Sequence, residues 1–96
     1  MTIDTTPAPT GTTDPNADAD LLALRDRINA IDAQLIELWR ERSAVSREVG
    51  RIRMASGGTR LVLARERQII ERFREALGED GTQLGLLVLR AGRGPL

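Results

Sequence analysis

The chain has 96 residues, among them fourteen arginines, no lysine, fourteen acids, no cysteine and no histidine. A length of this order holds one small domain. Without Cys or His it has no zinc or iron–sulfur ligand set, no Cys or Ser–His–Asp nucleophile system and no disulfide framework, so any chemistry runs on Arg, Asp, Glu, hydroxyls and backbone.

No metal and no cofactor is expected. The net charge of zero hides a split: residues 1–20 carry four Asp and no base, while residues 21–96 carry all fourteen Arg against ten acids. Between Arg42 and Arg65, six arginines (42, 47, 51, 53, 60 and 65) face only Glu48, which suits a small anion, a phosphate backbone or an acidic partner.

Residues 1–18 are mostly Thr, Pro, Ala, Asp and Gly, and after Met1 the one large apolar residue is Ile3. That is too little apolar area to offset the entropy of ordering, so they read as a disordered acidic tail. They have neither the basic start nor the apolar run of a signal peptide, and no stretch approaches a membrane span. A cytoplasmic protein with no membrane contact is expected.

From Asp20 the pattern changes. Leu21, Leu24, Ile28, Ile31, Leu35, Leu38, Val45, Val49 and Ile52 keep a 3,4 spacing if Arg42 fills the missing slot, which is the seam of one long helix. Asp18 or Asp20 can cap its start, and SerGlyGly at 56–58 ends it. A second helix is predicted from Thr59 or Arg60, with Val62, Glu66, Ile69, Phe73 and Leu77 on its stripe, up to a GlyGluAspGly turn at 78–81. A third, from about Thr82 to Arg90, is apolar on most sides through Leu84, Leu86, Leu87, Val88 and Leu89, which implies deep burial; residues 92–96 read as a non-helical tail. The fold class is therefore all-α, one long and two short helices. A long helix of ~35 residues spans roughly 50 Å, more than two short helices can cover, so an interlocked helical homodimer over residues 19–96 is the economical solution.

Arg42 is the anomaly, because a guanidinium in an apolar seam has to find an anion, pair with a Glu or snorkel to the rim. Arg53, three turns on, projects from nearly the same face. Helix two adds Arg65 and Glu66 beside its stripe, either as a polar border or as part of a site. Arg25 lies seventeen residues before Arg42, roughly 26 Å along a helix. It is either an exposed helix charge or, in an antiparallel dimer, a contribution to the partner's site. SerGlyGlyThr at 56–59 falls short of a phosphate-loop fingerprint and reads as a hinge. Trp39 reads as an interface residue.

With Arg25, Arg42, Arg53, Arg65 and Glu66 on this frame, residues 20–94 resemble the all-helical class of chorismate mutases. The likeness is strongest to the short intracellular actinobacterial branch, through ArgMetAlaSerGlyGlyThrArgLeuVal at 53–62, ArgGlu at 65–66 and LeuArgAlaGlyArgGly at 89–94. The resemblance implies the rearrangement of chorismate to prephenate, an isomerase step serving Phe and Tyr synthesis from the shikimate pathway. It implies that Arg25 of the partner subunit, with Arg42 and Arg65, clamps the two substrate carboxylates, that Arg53 hydrogen-bonds the ether oxygen, and that Glu66 accepts from the ring hydroxyl.

Two departures stand out. Val62 holds the substrate-binding position where efficient stand-alone relatives have an acid, and residues 84–90 offer no Gln or Glu to the ether oxygen, Gln83 lying just before that position. The resemblance accordingly implies a poor catalyst alone, activated in complex with 3-deoxy-D-arabino-heptulosonate 7-phosphate (DAHP) synthase, which would order residues 56–62 and hold the tail at 90–96. The competing expectations are isochorismate pyruvate-lyase, which shares the arginine set, and a catalytically silent helical dimer that only docks on a larger enzyme. Nucleic-acid binding is disfavoured, since phosphate-gripping arginines point outward from a helix rather than into its seam.

Overall fold

A computed structural model, which describes residues 8–94, has three helices and no strand among those residues: α1 over Pro15–Ala55, α2 over Leu63–Leu77 and α3 over Glu79–Arg93. The all-helical, one-long-two-short expectation holds. The chain divides into two compact units, Met1–Leu35 and Ile36–Leu96, the division falling inside α1.

In the N-terminal unit α1 begins earlier than its seam suggested. Asp14 rather than Asp18 or Asp20 is the cap: its Oδ1 accepts from the Asn16 N–H at 2.9 Å, and the Asp18 N–H donates to the Asp14 carbonyl at 2.8 Å. Pro15 follows as the first helical residue, where its missing N–H costs nothing and its φ is already helical. Residues 15–18 of the expected tail are thus helical, and residues 1–7 of it lie outside the described residues. The stretch before the helix is tied down by two contacts, Thr10 Oγ1 donating to Asp18 and the Arg25 guanidinium donating to the carbonyls of Ala8 and Pro9. Leu21, Leu24, Ile28, Ile31 and Leu35 are 40 to 59 % exposed.

In the C-terminal unit α1 ends in a two-bond glycine cap. The Gly58 N–H donates to the Arg53 carbonyl at 2.7 Å and the Gly57 N–H to the Met54 carbonyl at 3.2 Å, with Gly57 at φ +79°. This Schellman arrangement requires the left-handed conformation that glycine adopts without a Cβ clash. The chain then stays non-helical to Val62, which is extended at φ −119° and ψ 97°. α2 therefore starts at Leu63, not at Thr59 or Arg60, and Glu66 lies in its first turn, its N–H donating to the Val62 carbonyl at 3.1 Å.

A single residue, Gly78 at φ +72°, ends α2 and begins α3. The expected four-residue turn at 78–81 is thus absent. Glu79 and Asp80 sit in the first turn of α3, where carboxylates oppose the positive end of the helix dipole, and the helix runs on through the expected tail to Arg93. Gly94 at φ +75° caps it, its N–H on the Arg90 carbonyl at 2.8 Å.

Close packing of α3 rests on its small residues. A Cβ on Gly81 would lie 1.9 Å from the Phe73 carbonyl oxygen, and one on Gly85 would lie 3.3 Å from the Ile70 Cα. At the other end Gly92 meets Ser46 of α1. Of the five apolar α3 residues expected to be deeply buried, Val88 and Leu89 are, at 7 % and 8 % exposure, while Leu84, Leu86 and Leu87 remain 36 to 47 % exposed. The reason is that the face carrying Gly81, Gly85, Val88, Leu89 and Gly92 takes all the buried positions of the helix. Leu38, Val45, Val49 and Ile52 of α1 are likewise 41 to 61 % exposed.

Replacing Gly81 by Ala should force α2 and α3 apart and cost about 1–3 kcal/mol, the range for overpacking a close contact. Thermal unfolding followed by circular dichroism would check this, and an unchanged midpoint would contradict the packing.

Candidate active site

One cleft of about 520 Å³ opens in the C-terminal unit, and it gathers Arg42, Arg53, Val62, Arg65 and Glu66. The long helix supplies Arg42 and Arg53, the extended residue before α2 supplies Val62, and the first turn of α2 supplies Arg65 and Glu66. Arg47, Arg51, Arg60 and Arg93 also line it, so seven arginines surround one carboxylate. Leu89, Ile69, Val45 and Met54 provide apolar wall.

Arg42 is half-buried, and its Nη1 donates to the Val88 carbonyl of α3 at 3.3 Å. It pairs with no Glu, and it does not reach away to the rim. Arg53 is half-buried in the last turn of α1, where the negative end of the helix dipole favours a cation. Among the described residues Arg42, Arg53 and Arg65 form no ion pair. Three guanidiniums without ion-pair partners around one cleft suit an anion with more than one charge.

The neighbouring charges behave differently. Glu48 and Glu71 pair with Arg51 and Arg74 on exposed helix faces, and hydrogen bonds from those guanidiniums hold both carboxyls below the usual range. Pairs so exposed contribute little to stability. Glu66 instead lies in the cleft at 21 % exposure, and Arg93 Nη1 donates to its Oε1 at 2.7 Å and Oε2 at 2.8 Å.

Arg25 does not line the cleft; it belongs to the N-terminal unit and donates to the Ala8 and Pro9 carbonyls there. Gln83 is exposed and does not line the cleft either. The third helix presents Leu89, Gly92 and Arg93 instead. Arg93 is the site residue that sequence reasoning missed, because GlyArgGlyPro looked like a tail. The signal was the helical spacing of Gly81, Gly85, Val88 or Leu89, and Gly92, which continues one face up to Arg93. The Ser56–Thr59 stretch caps α1 and lies between α1 and α2.

Residues 24–87 match the family model described as "Chorismate mutase type II". The chain belongs to that family. It is 52% identical over 73 residues to the intracellular chorismate mutase of Mycobacterium tuberculosis strain H37Rv and 51% identical over 73 residues to that of Mycolicibacterium smegmatis, covering 76% of this chain and 69% and 70% of those relatives. Among solved structures it is similar to a chain of the non-covalent complex of DAHP synthase and chorismate mutase from Corynebacterium glutamicum with bound transition state analog, at a TM-score of 0.83 and 44% identity, covering 85% of this chain and 99% of that one. The chorismate mutase match spans every candidate site residue from Arg25 to Glu66 but stops before Arg93.

A seam guanidinium is not needed for folding. Arg42→Leu should leave the thermal midpoint unchanged or raise it, since an apolar residue suits the slot, while removing one of the cleft's unpaired charges. A fall of several degrees would mean that Arg42 is structural.

Proposed function

We propose that the cleft binds chorismate and that the protein rearranges it to prephenate, the isomerase activity of its family. The observation that carries this is the gathering of Arg42, Arg53, Arg65 and Glu66 in one cleft, with the three cations free of ion pairs among the described residues. In this rearrangement one C–O bond breaks and one C–C bond forms within a single dianion, with no nucleophile, proton relay or redox partner. What a protein contributes is the folded, reactive conformer and positive charge where the ether oxygen becomes more negative. A set of side chains without His or Cys suffices for that.

Arg42 and Arg65 clamp the carboxylates, Arg53 donates to the ether oxygen, Glu66 accepts from the ring hydroxyl, and Val62 lies against the substrate. Arg25 reaches the site from a second copy of the chain. The support for a homodimer is the apolar residues of α1 that stay exposed in each unit of the single chain, together with a buried apolar core of only Val88 and Leu89 among the described residues. So small a core is below what a stable domain needs alone.

The protein acts inside the cell, in aromatic amino-acid synthesis, as a partner of DAHP synthase. Support comes from relatives named as intracellular enzymes, from the C. glutamicum complex, and from the absence among the described residues of any helix long and apolar enough to cross a membrane. With Val62 in place of an acid, the lone dimer is slow and the synthase raises its activity by favouring one conformer of the hinge and of the α3 end.

Purified protein given chorismate should form prephenate slowly alone and faster with DAHP synthase added. Salicylate and pyruvate from isochorismate would mark the lyase instead, and a folded dimer without turnover in either condition would leave only a docking role. Arg53→Ala should lower kcat by roughly 100-fold or more, as removal of a transition-state charge partner does. Subunits carrying Arg25→Ala or Arg42→Ala, each inactive alone, should regain activity when mixed. No recovery from proven heterodimers would contradict a site shared between chains.

A further inference from the structure

The one carboxylate lining the cleft is already held. Arg93 bridges both oxygens of Glu66 with a single nitrogen, and the pair is 23 % and 21 % exposed, whereas the side chains of the other described ion pairs are each at least half exposed. A carboxylate has about four acceptor sites, so this bridge leaves one on each oxygen for another donor. Arg93 gives up something to make it: its Nε is buried without a hydrogen-bond partner.

Without Arg93, Glu66 would share the cleft with Arg42, Arg53 and Arg65, none of them ion-paired among the described residues. Opposite charges in a partly buried site attract strongly. The carboxylate would turn to one of these guanidiniums and neutralise a charge that the substrate dianion needs. We propose that Arg93 is a positioning residue for Glu66, holding it as the hydroxyl acceptor and away from the arginines that bind the substrate carboxylates, an inference that rests on the mutase reaction proposed above.

Arg93 is itself connected to the hinge. The Arg60 Nη2 donates to the Arg93 carbonyl at 3.0 Å. The loop before α2 and the carboxylate in the first turn of α2 are therefore joined through the last turn of α3. A partner that orders either the loop or the α3 end thereby sets the position of Glu66.

The test is steady-state kinetics with chorismate, with and without DAHP synthase, for the unsubstituted chain, Arg93→Gln, Arg93→Lys, Glu66→Gln and the Arg93→Gln/Glu66→Gln double variant. Arg93→Gln should lower kcat/KM by roughly tenfold, partly as a raised KM because the released Glu66 competes for arginines, and Lys should restore part of the loss. In the Glu66→Gln background the same Arg93→Gln change should cost less than about twofold, because nothing is left to hold. Equal losses in both backgrounds, or a lowered thermal midpoint with unchanged kinetic constants, would overturn the proposal, and Arg93 would be only a helix-end residue. If Arg93→Gln does not fold, Arg93→Lys in the two backgrounds gives the same comparison. Prephenate formation by the unsubstituted chain with additive losses overturns this inference alone; no prephenate from it under either condition overturns the reaction assigned to the cleft and this inference together.

Discussion

Arg42 occupies the one slot in the α1 seam that the 3,4 spacing reserves for an apolar side chain, and it brings that charge to the cleft of the C-terminal unit. A guanidinium withdrawn from water loses solvation that only an anion or well-placed acceptors restore. Here a single helical carbonyl, that of Val88, accepts from it at 3.3 Å, and it forms no ion pair among the described residues. The cation is therefore held ready for a ligand. Arg53, half-buried at the end of α1, and Arg65, exposed at the start of α2, likewise form no ion pair among the described residues, so the cleft concentrates positive charge.

The helix ends decide where those charges stand. The glycine cap at residues 57 and 58 stops α1 just after Arg53, and the extended Val62 delays α2 to Leu63. Arg65 and Glu66 consequently lie in the first turn of α2, beside the cleft, rather than one turn deeper as a start at Thr59 would place them. The single-residue turn at Gly78 then folds α3 back so that Gly81 and Gly85 meet α2, and the same face brings Leu89, Gly92 and Arg93 to the cleft. The placement of these side chains depends on backbone geometry at the helix ends, at Gly57 and Gly58, Val62 and Gly78.

Periodicity made α1 legible, because nine apolar residues in register outweigh any local ambiguity, and the arginines could be placed on its face from spacing alone. The starts of α1 and α2 were harder. Asp14–Pro15 is a good cap and first turn, but it sits in a Thr- and Asp-rich stretch with no apolar period to announce a helix. Conversely, residues 59–62 fit the α2 period although they lie outside the helix. In α3 the sequence suggests breakers at Gly81, Gly92 and Gly94. At 81 and 92 glycine is instead a contact residue inside the helix, where the benefit of close approach exceeds its poor helix propensity. That misreading hid Arg93. Arg25 was assigned to a partner's site by resemblance, and its contacts within its own unit, to the Ala8 and Pro9 carbonyls, carried no signal in the sequence.

The central claim is that fixed positive charge, without proton transfer, drives the chemistry of this cleft. The cleft is lined by seven arginines, and guanidinium groups act as fixed charges in proteins. The most direct test is the pH dependence of kcat for the complex with DAHP synthase, measured in H2O and D2O. If fixed charge drives the reaction, kcat is flat between about pH 6 and 9 with no solvent isotope effect; a bell-shaped profile with a slower reaction in D2O would show a proton in flight and contradict it.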